Sequence, residues 1–486
     1  MGFLPCSNMP CHSHDQDSDQ SRSRNLGSNS SSFNSSLSTQ ESLHSIPSLT
    51  PSTPQVEHPL PGYHCSLATL KGHSYMFSLA LAQKHLYSGS SDGKICVWSR
   101  DLSSSALKNP SPDTVGEGCS AVKSILILGD KLFSAHQDHK IRVWKIDQIT
   151  PHQKYKCIAT LPTVNDRCRR LFSAKNYVQV RRHKISTWVH HVDTISALAL
   201  SRDGSLLYSV SWDQTFKVWK TSNFDCLESV WNAHDDAINA IVLSNDAHVY
   251  TGSADKKIKV WKKNEGEKKH SLVATLEKHK SAVNALALTN DGSILYSGAA
   301  GGGSIIAWEK RGSDGCHMEA AGALKGHNKA ILCLTIVSDL LCSGSADKTV
   351  RIWRRGIGTN HSCLAVFEGH KGPVKCLAAA IDNNHSRDST TDSGTSYSVF
   401  SGSSHIAFTP SPKGASSMVI TSPNCSNPSS GYYNTQLLQP GIELPTLGSR
   451  TPQCDCSANL DVPWGAGAYR LCLVKSRLKA IEFLIL

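Results

Sequence analysis

Residues 343–353 read SGSADKTVRIW: a turn of small residues, an aspartate, and a β-branched run that ends on Trp353. The same phrase stands at SGSSDGKICVW (88–98), SAHQDHKIRVW (134–144), SVSWDQTFKVW (209–219) and TGSADKKIKVW (251–261). An altered copy, SGAAGGGSIIAW, fills 297–308, and a seventh opening, SGSS at 401–404, breaks off with His405 where aspartate is due. Self-similarity at a period of roughly 40 to 45 residues with this content signals a ring of four-stranded blades. The expected fold is all-β: a seven-bladed β-propeller with an incomplete seventh blade and disordered termini.

Every copy but the second also has an earlier histidine anchor, at His73, His191, His234, His279, His327 or His370. A serine or threonine falls four residues before the turn aspartate, and the tryptophan falls six residues after it. Four sets are complete. His73 goes with Ser88, Asp92 and Trp98, and His191 with Ser209, Asp213 and Trp219. His234 goes with Thr251, Asp255 and Trp261, and His327 with Ser343, Asp347 and Trp353. The second copy has Gly118 at the histidine position, and the fifth loses its aspartate to Gly301-Gly302-Gly303. A loop histidine beside the turn can bond the aspartate and the strand hydroxyl, while the hydroxyl takes the indole N–H. That network satisfies polar groups which packed blades would otherwise bury unpaired. The trio resembles a hydrolase triad, but it recurs once per repeat, whereas catalysis needs one site with an oxyanion hole and a cleft. No nucleophile elbow, phosphate loop or metal spacing accompanies it, so no enzyme, cofactor or metal site is expected.

The 486 residues carry a net charge of +11. Residues 1–60 hold 16 serines and a net charge of −3, a composition that cannot bury enough apolar surface to order itself. The expected organisation is a Ser-rich disordered arm (1–60), the propeller (61–404), and an atypical, disordered tail (405–486). The 17 cysteines are scattered, often at apolar strand positions, which fits free thiols in a reducing compartment. No run approaches a membrane span, and a cytoplasmic or nuclear monomer is expected.

The basic excess lies on the propeller. Its plainer reading is lysine at solvent-facing strand positions; the other is attraction of phosphate or acidic peptides. The connection between Trp144 and His191 is long, and its residues 162–183 gather Arg167, Arg169, Arg170, Lys175, Arg181 and Arg182. Pro162 and Asp166 suggest a short helix there, pinned by Leu171, Phe172, Tyr177 and Val178. At the rim where turns converge, Trp212 is the leading partner-binding candidate, since an exposed aromatic in a turn is a typical hot spot. Met76, Asp235, Lys280 and Lys371 are weaker candidates there, and Arg181 and Arg182 belong to the basic insertion.

The His, Asp and Trp pattern resembles the WD-repeat family, although aspartate never follows the tryptophan here. The stretches HCSLATLKGHSYMFSLALAQKHLYSGSSDGKICVW (64–98), KYKCIATLP (154–162), KNYVQVRRHK (175–184), CLESVWNAHDDAIN (226–239) and SCLAVFEGHKGPVKCLA (362–378) resemble the plant group called JINGUBANG-like. That resemblance implies a non-catalytic protein-interaction scaffold, regulatory in plant cells, with proteins or peptides bound at the rim. Two alternatives are a substrate receptor of a cullin-type ubiquitin ligase, through Trp308-Glu309-Lys310-Arg311, and phosphate or nucleic-acid binding through the basic insertion. Nucleic acid is not the expected partner.

Overall fold

The computed structural model describes residues 46–50, 65–71, 74–100, 113–118, 120–147, 154–171, 177–181, 184–264, 266–267, 269–311, 317–356, 360–382, 396–403 and 416–421. Six antiparallel blades are each made of four consecutive strands. The first blade is Met76–Ala82, His85–Ser90, Lys94–Ser99 and Asp113–Glu117; blades two to five span 122–161, 195–230, 238–276 and 283–324; the sixth is Ile331–Val337, Leu340–Ser345, Val350–Arg355 and His361–Phe367. The innermost strands of the six lie side by side, and Val374–Asp382 closes the circuit between the sixth and the first.

Packing between blades explains the strand sequences. Second strands such as Ile294–Ala299 and Leu340–Ser345 are buried along their whole length, because a neighbouring blade covers each face. They therefore read as unbroken runs of apolar and small residues. Gly298 is required by that approach: a Cβ there would stand 2.3 Å from Ile331 Cγ2 of the next blade. Every inner strand is also bulged after its first residue, for example between Ile195 and Ala197 and between Val122 and Ser124. A bulge leaves one residue unpaired and re-aims its side chain.

The expectation of seven blades is corrected: six, not seven, are built from consecutive strands. The remaining sheet is composite, with strand order Val374–Asp382, Ser396–Ser403, Ser416–Thr421 and Cys65–Lys71. Nor does its third position stand empty, as the loss of the tryptophan phrase suggests. Ser416–Thr421 pairs with Ser398–Gly402 on one side and Cys65–Lys71 on the other. Ladder hydrogen bonds are backbone bonds, so a Met-Val-Ile run serves without tryptophan. Residues 405–409, whose weak alternation offers a substitute strand, lie outside the described residues.

The long connection forms the helix Val164–Leu171 and the hairpin Tyr177–Arg181/Lys184–Thr187. Residues 46–50, within the segment expected to be a disordered arm, lie extended along the outer edge of the fifth blade.

Candidate functional site at the channel mouth

The framework residues come together in blades three, four and six. In blade six the Trp353 indole donates to Ser343 Oγ at 2.8 Å, and Ser343 lies 2.8 Å from His327 Nε2. His327 Nδ1 is 2.8 Å from Asp347 Oδ2. An indole N–H only donates and a carboxylate only accepts, so the hydroxyl accepts from the tryptophan and the histidine donates Nδ1–H to the aspartate. In blade three the Trp219 indole donates to Ser209 Oγ at 2.9 Å, and Ser209 lies 2.8 Å from His191 Nε2. His191 Nδ1 is 2.9 Å from Asp213 Oδ2. In blade four the Trp261 indole donates to Thr251 Oγ1 at 2.9 Å, and Thr251 lies 2.8 Å from His234 Nε2. There His234 Nδ1 is 2.7 Å from Asp255 Oδ2.

Burial holds His191 and His327 below the ordinary histidine range, in keeping with the neutral form. Burial alone would raise Asp347, but bonds from Thr349, His327 and the Asn328 amide outweigh it and bring it down to about 2. In blade one the Trp98 indole donates to Ser88 at 2.9 Å, and Asp92 Oδ1 accepts from the Lys94 amide; His73 lies outside the described residues.

Two departures show how the framework adapts. In blade two, His136 from the second strand occupies the space left by Gly118 and sits 2.8 Å from Ser134 Oγ, which accepts from Trp144. Asp138 instead takes a two-pronged bond from Arg142, at 2.6 and 3.2 Å. In blade five, His279 and Trp308 share Ser297 with no aspartate.

These residues do not form a surface that a ligand could touch. Ser209, Thr251 and Ser343 are wholly buried, and each is already bonded to an indole and an imidazole. Trp219, Trp261 and Trp353 are buried beside them, as are Ser88 and Trp98 in blade one. Ser209, Trp219, Thr251 and Trp261 therefore belong to the packing between blades and stand apart from the partner-binding candidates.

Bulged residues of the inner strands reach towards neighbouring blades. On one side these residues stitch blades together: Ser196 Oγ donates to Ile238 O at 2.5 Å, Asn239 Nδ2 to Val283 O at 3.0 Å, and Asn284 Nδ2 to Ile331 O at 3.0 Å. On the other side stand Lys375, Phe77 and Lys123, from the composite sheet and blades one and two. Lys123 Nζ is 4.0 Å and Lys375 Nζ 4.9 Å from the Phe77 ring centroid. Lys123 also lies 5.6 Å from the ring centroid of half-buried Trp212, which reaches across from the turn of blade three. Burial first, then the neighbouring Lys375 charge, pushes Lys123 down to about 8, and burial lowers Lys375 as well. Lys375 is exposed. Neither lysine forms an ion pair among the described residues. Two cations beside two aromatic rings make a cluster suited to an anionic group.

Of the sequence candidates, Trp212 belongs to this site. Met76 does not: it is 3% exposed, in the core with Leu86 and Trp98. The loop of blade one is a residue shorter than the others, so Met76, not Phe77, matches the buried Ile195 position, and Phe77 falls on the bulge. Asp235, Lys280 and Lys371 are exposed, and Lys257 stands 3.9 Å from Asp235. Sequence reasoning does not single out Lys123, Phe77 and Lys375 as a group. Their signal is the residue just after each strand's first buried position, which alternation alone does not mark.

The two alternative sites are less open. Arg170 turns inward, paired with buried Asp166, 3.1 Å from Cys226 O and over the Trp188 ring at 4.3 Å. Asp225 stands 3.9 Å from Arg169. Lys175, Arg182 and the Arg181 side chain lie outside the described residues. In the Trp308–Arg311 run, Glu309 pairs with Arg355, Lys310 with Asp246, and Arg311 with Glu319. Among the described residues no group of three or more His, Cys, Asp or Glu side chains is placed to hold a metal, and no helix is long and apolar enough to cross a membrane.

Five stretches, 64–99, 182–220, 225–262, 270–309 and 319–354, match the WD domain, G-beta repeat. ROOT INITIATION DEFECTIVE 3 of Arabidopsis thaliana is 30% identical over 210 residues, 39% of this chain and 46% of that protein. Zinc finger CCCH domain-containing protein 59 of the same plant is 27% identical over 164 residues, 34% of this chain and 32% of that protein. The chain thus spans less than half the length of either. A guanine nucleotide-binding protein subunit beta of Zea mays is 22% identical over 317 residues, 59% of this chain and 82% of that subunit. The chain carries WD40 repeats folded as an all-β propeller, similar at low identity to plant WD-repeat proteins.

Proposed function

We propose that this chain is a non-catalytic scaffold that binds an acidic segment of a partner protein at the channel mouth. The observation that carries the reading is the pair of lysines lying against the Phe77 ring, neither with a carboxylate partner among the described residues. Desolvating two like charges is costly, and an incoming carboxylate or phosphate would offset that cost. Trp212 supplies the aromatic anchor beside them. Catalysis is disfavoured because the recurring serines are buried and committed to indole and imidazole. We further propose a regulatory role in plant cells, in the cytoplasm or nucleus, for a monomeric chain; the JINGUBANG-like stretches and the plant relatives support the plant setting.

The test is titration of the full chain with a fluorescein-labelled glutamate-rich peptide. K123A/K375A should weaken binding by about tenfold or more and flatten its salt dependence, and W212A should weaken it without changing that dependence. Affinity should also fall as pH rises past about 8, where Lys123 loses its proton. Affinity unchanged in K123A/K375A overturns the site.

A further inference from the structure

Residues 46–50, Ile-Pro-Ser-Leu-Thr, lie against the outer strand His317–Leu324 of blade five in parallel register, with Ser48 opposite Ala323. The Leu49 amide donates to Ala323 O at 2.9 Å, and the Ala323 amide donates to Pro47 O at 2.9 Å. The Leu49 carbonyl then accepts from the His361 amide of blade six at 3.0 Å. Three backbone bonds therefore tie five residues to two blades. The pairing uses only the carbonyl of residue 47, so proline is tolerated there although it lacks an N–H.

Side chains add selectivity. Leu49 is 5% exposed and sits in a core cluster with Ile294, Tyr296, Leu324 and Trp353, while Ile46 packs on the cluster that holds Met318 and Trp308. Between them Gly322 clears the way: a Cβ there would stand 2.5 Å from Leu49 Cγ and Cδ2 and 2.9 Å from Pro47 O. A fixed histidine completes the seat, with His361 Nε2 held 2.8 Å from the Tyr296 hydroxyl. An outer edge that would otherwise be an open template for strand pairing is thus fitted to an apolar residue, proline, a polar residue and leucine in succession.

We propose that the groove between blades five and six is a peptide-docking site for an extended Ile-Pro-Ser-Leu-Thr segment, and that the chain occupies it in cis with residues 46–50. The binding mode is strand addition, with backbone bonds supplying affinity and the Ile and Leu pockets supplying selection. The fifteen-residue step from Thr50 to Cys65 spans up to about 50 Å when extended. Such a tether keeps the segment at an effective concentration on the order of millimolar. A competing segment of the same pattern must exceed that concentration relative to its own affinity, so the site is closed in the resting chain. This site is separate from the channel mouth and does not depend on it.

The test uses the full chain and a fluorescein-labelled peptide of residues 44–52. Amides of Ala323 and His361 should be protected from hydrogen exchange in the wild type, and should exchange at least about tenfold faster in L49D. The L49D chain should bind the peptide saturably, the wild type about tenfold or more weakly, and G322V/L49D not at all. If L49D does not fold, L49S serves for the same readings. An L49D or L49S chain with a wild-type unfolding midpoint that takes up no peptide overturns the proposal. So do Ala323 and His361 amides that exchange equally fast with and without Leu49.

Discussion

At the scale of single residues, blade two shows what the loop histidine supplies. Gly118 stands where the other blades have histidine, and His136 fills the gap from the adjoining strand, bonding Ser134 in place of the missing ring. The requirement is thus for an imidazole acceptor at the serine, not for one chain position. H136A should cost about 1–3 kcal/mol, the range for removing one partner of a buried hydrogen bond. G118H alone should also destabilise, because a Cβ at 118 would come 3.2 Å from His136 Cε1. G118H/H136A rebuilds the arrangement of blade six, so it should be more stable than the two single effects predict by roughly 1 kcal/mol or more. Urea unfolding of the four chains measures this cycle, and strict additivity would count against the idea. The recurring side chains, such as Ser209 with Trp219 and Thr251 with Trp261, are legible in the sequence because each network is local, spanning one blade. His136 is hidden because its role depends on which way a strand residue turns.

At the scale of elements, the contacts that hold the helix Val164–Leu171 are polar among the described side chains. Thr163 Oγ1 caps it by accepting from the Asp166 amide at 3.1 Å. Asp166, 1% exposed, then accepts from the Cys226 amide at 3.0 Å and pairs with Arg170. Tyr177, expected as a pin, is 41% exposed. The cap is readable from Thr163 and Asp166, but its docking is not, since Cys226 lies sixty residues away. Anchoring by a single buried carboxylate has a consequence for stability. D166A should cost about 3–5 kcal/mol locally, because it strands Arg170 and leaves an amide unpaired, whereas T163A should cost about 0.5–2 kcal/mol. Hydrogen exchange at the Cys226 amide should accelerate strongly in D166A and little in T163A; equal rates would mean that the helix is held elsewhere.

At the scale of the whole molecule, the tryptophan phrase marks the second and third strands, so blades that keep it announce themselves. The composite sheet keeps only the phrase's opening, and Ser416–Thr421 joins it through backbone pairing that no motif records. The ring also carries a collective pH response, because burial disfavours the charged form of several of its histidines. Burial pushes His136, His279 and His370 each down to about 4, for none of the three has the histidine–carboxylate bond seen in blades three, four and six. A histidine whose folded pKa is depressed binds its proton more readily in the unfolded chain. Its stabilisation is therefore complete above the ordinary value near 6.5 and is lost as pH falls towards 4. Asp255 and Asp347, both lowered to about 2, act in a lower window, losing their stabilisation as pH falls from about 3.8 to 2. Both windows have the same sign, and the histidine window comes first. Thermal unfolding of the full chain between pH 7.5 and 4.5 should show a falling midpoint, each histidine contributing on the order of 3 kcal/mol by pH 4. H279Q keeps a polar side chain near Ser297 but removes one titrating group, so its midpoint should fall less steeply with pH than the wild type's. Parallel slopes would show that the acid response of the ring resides in groups other than these buried imidazoles.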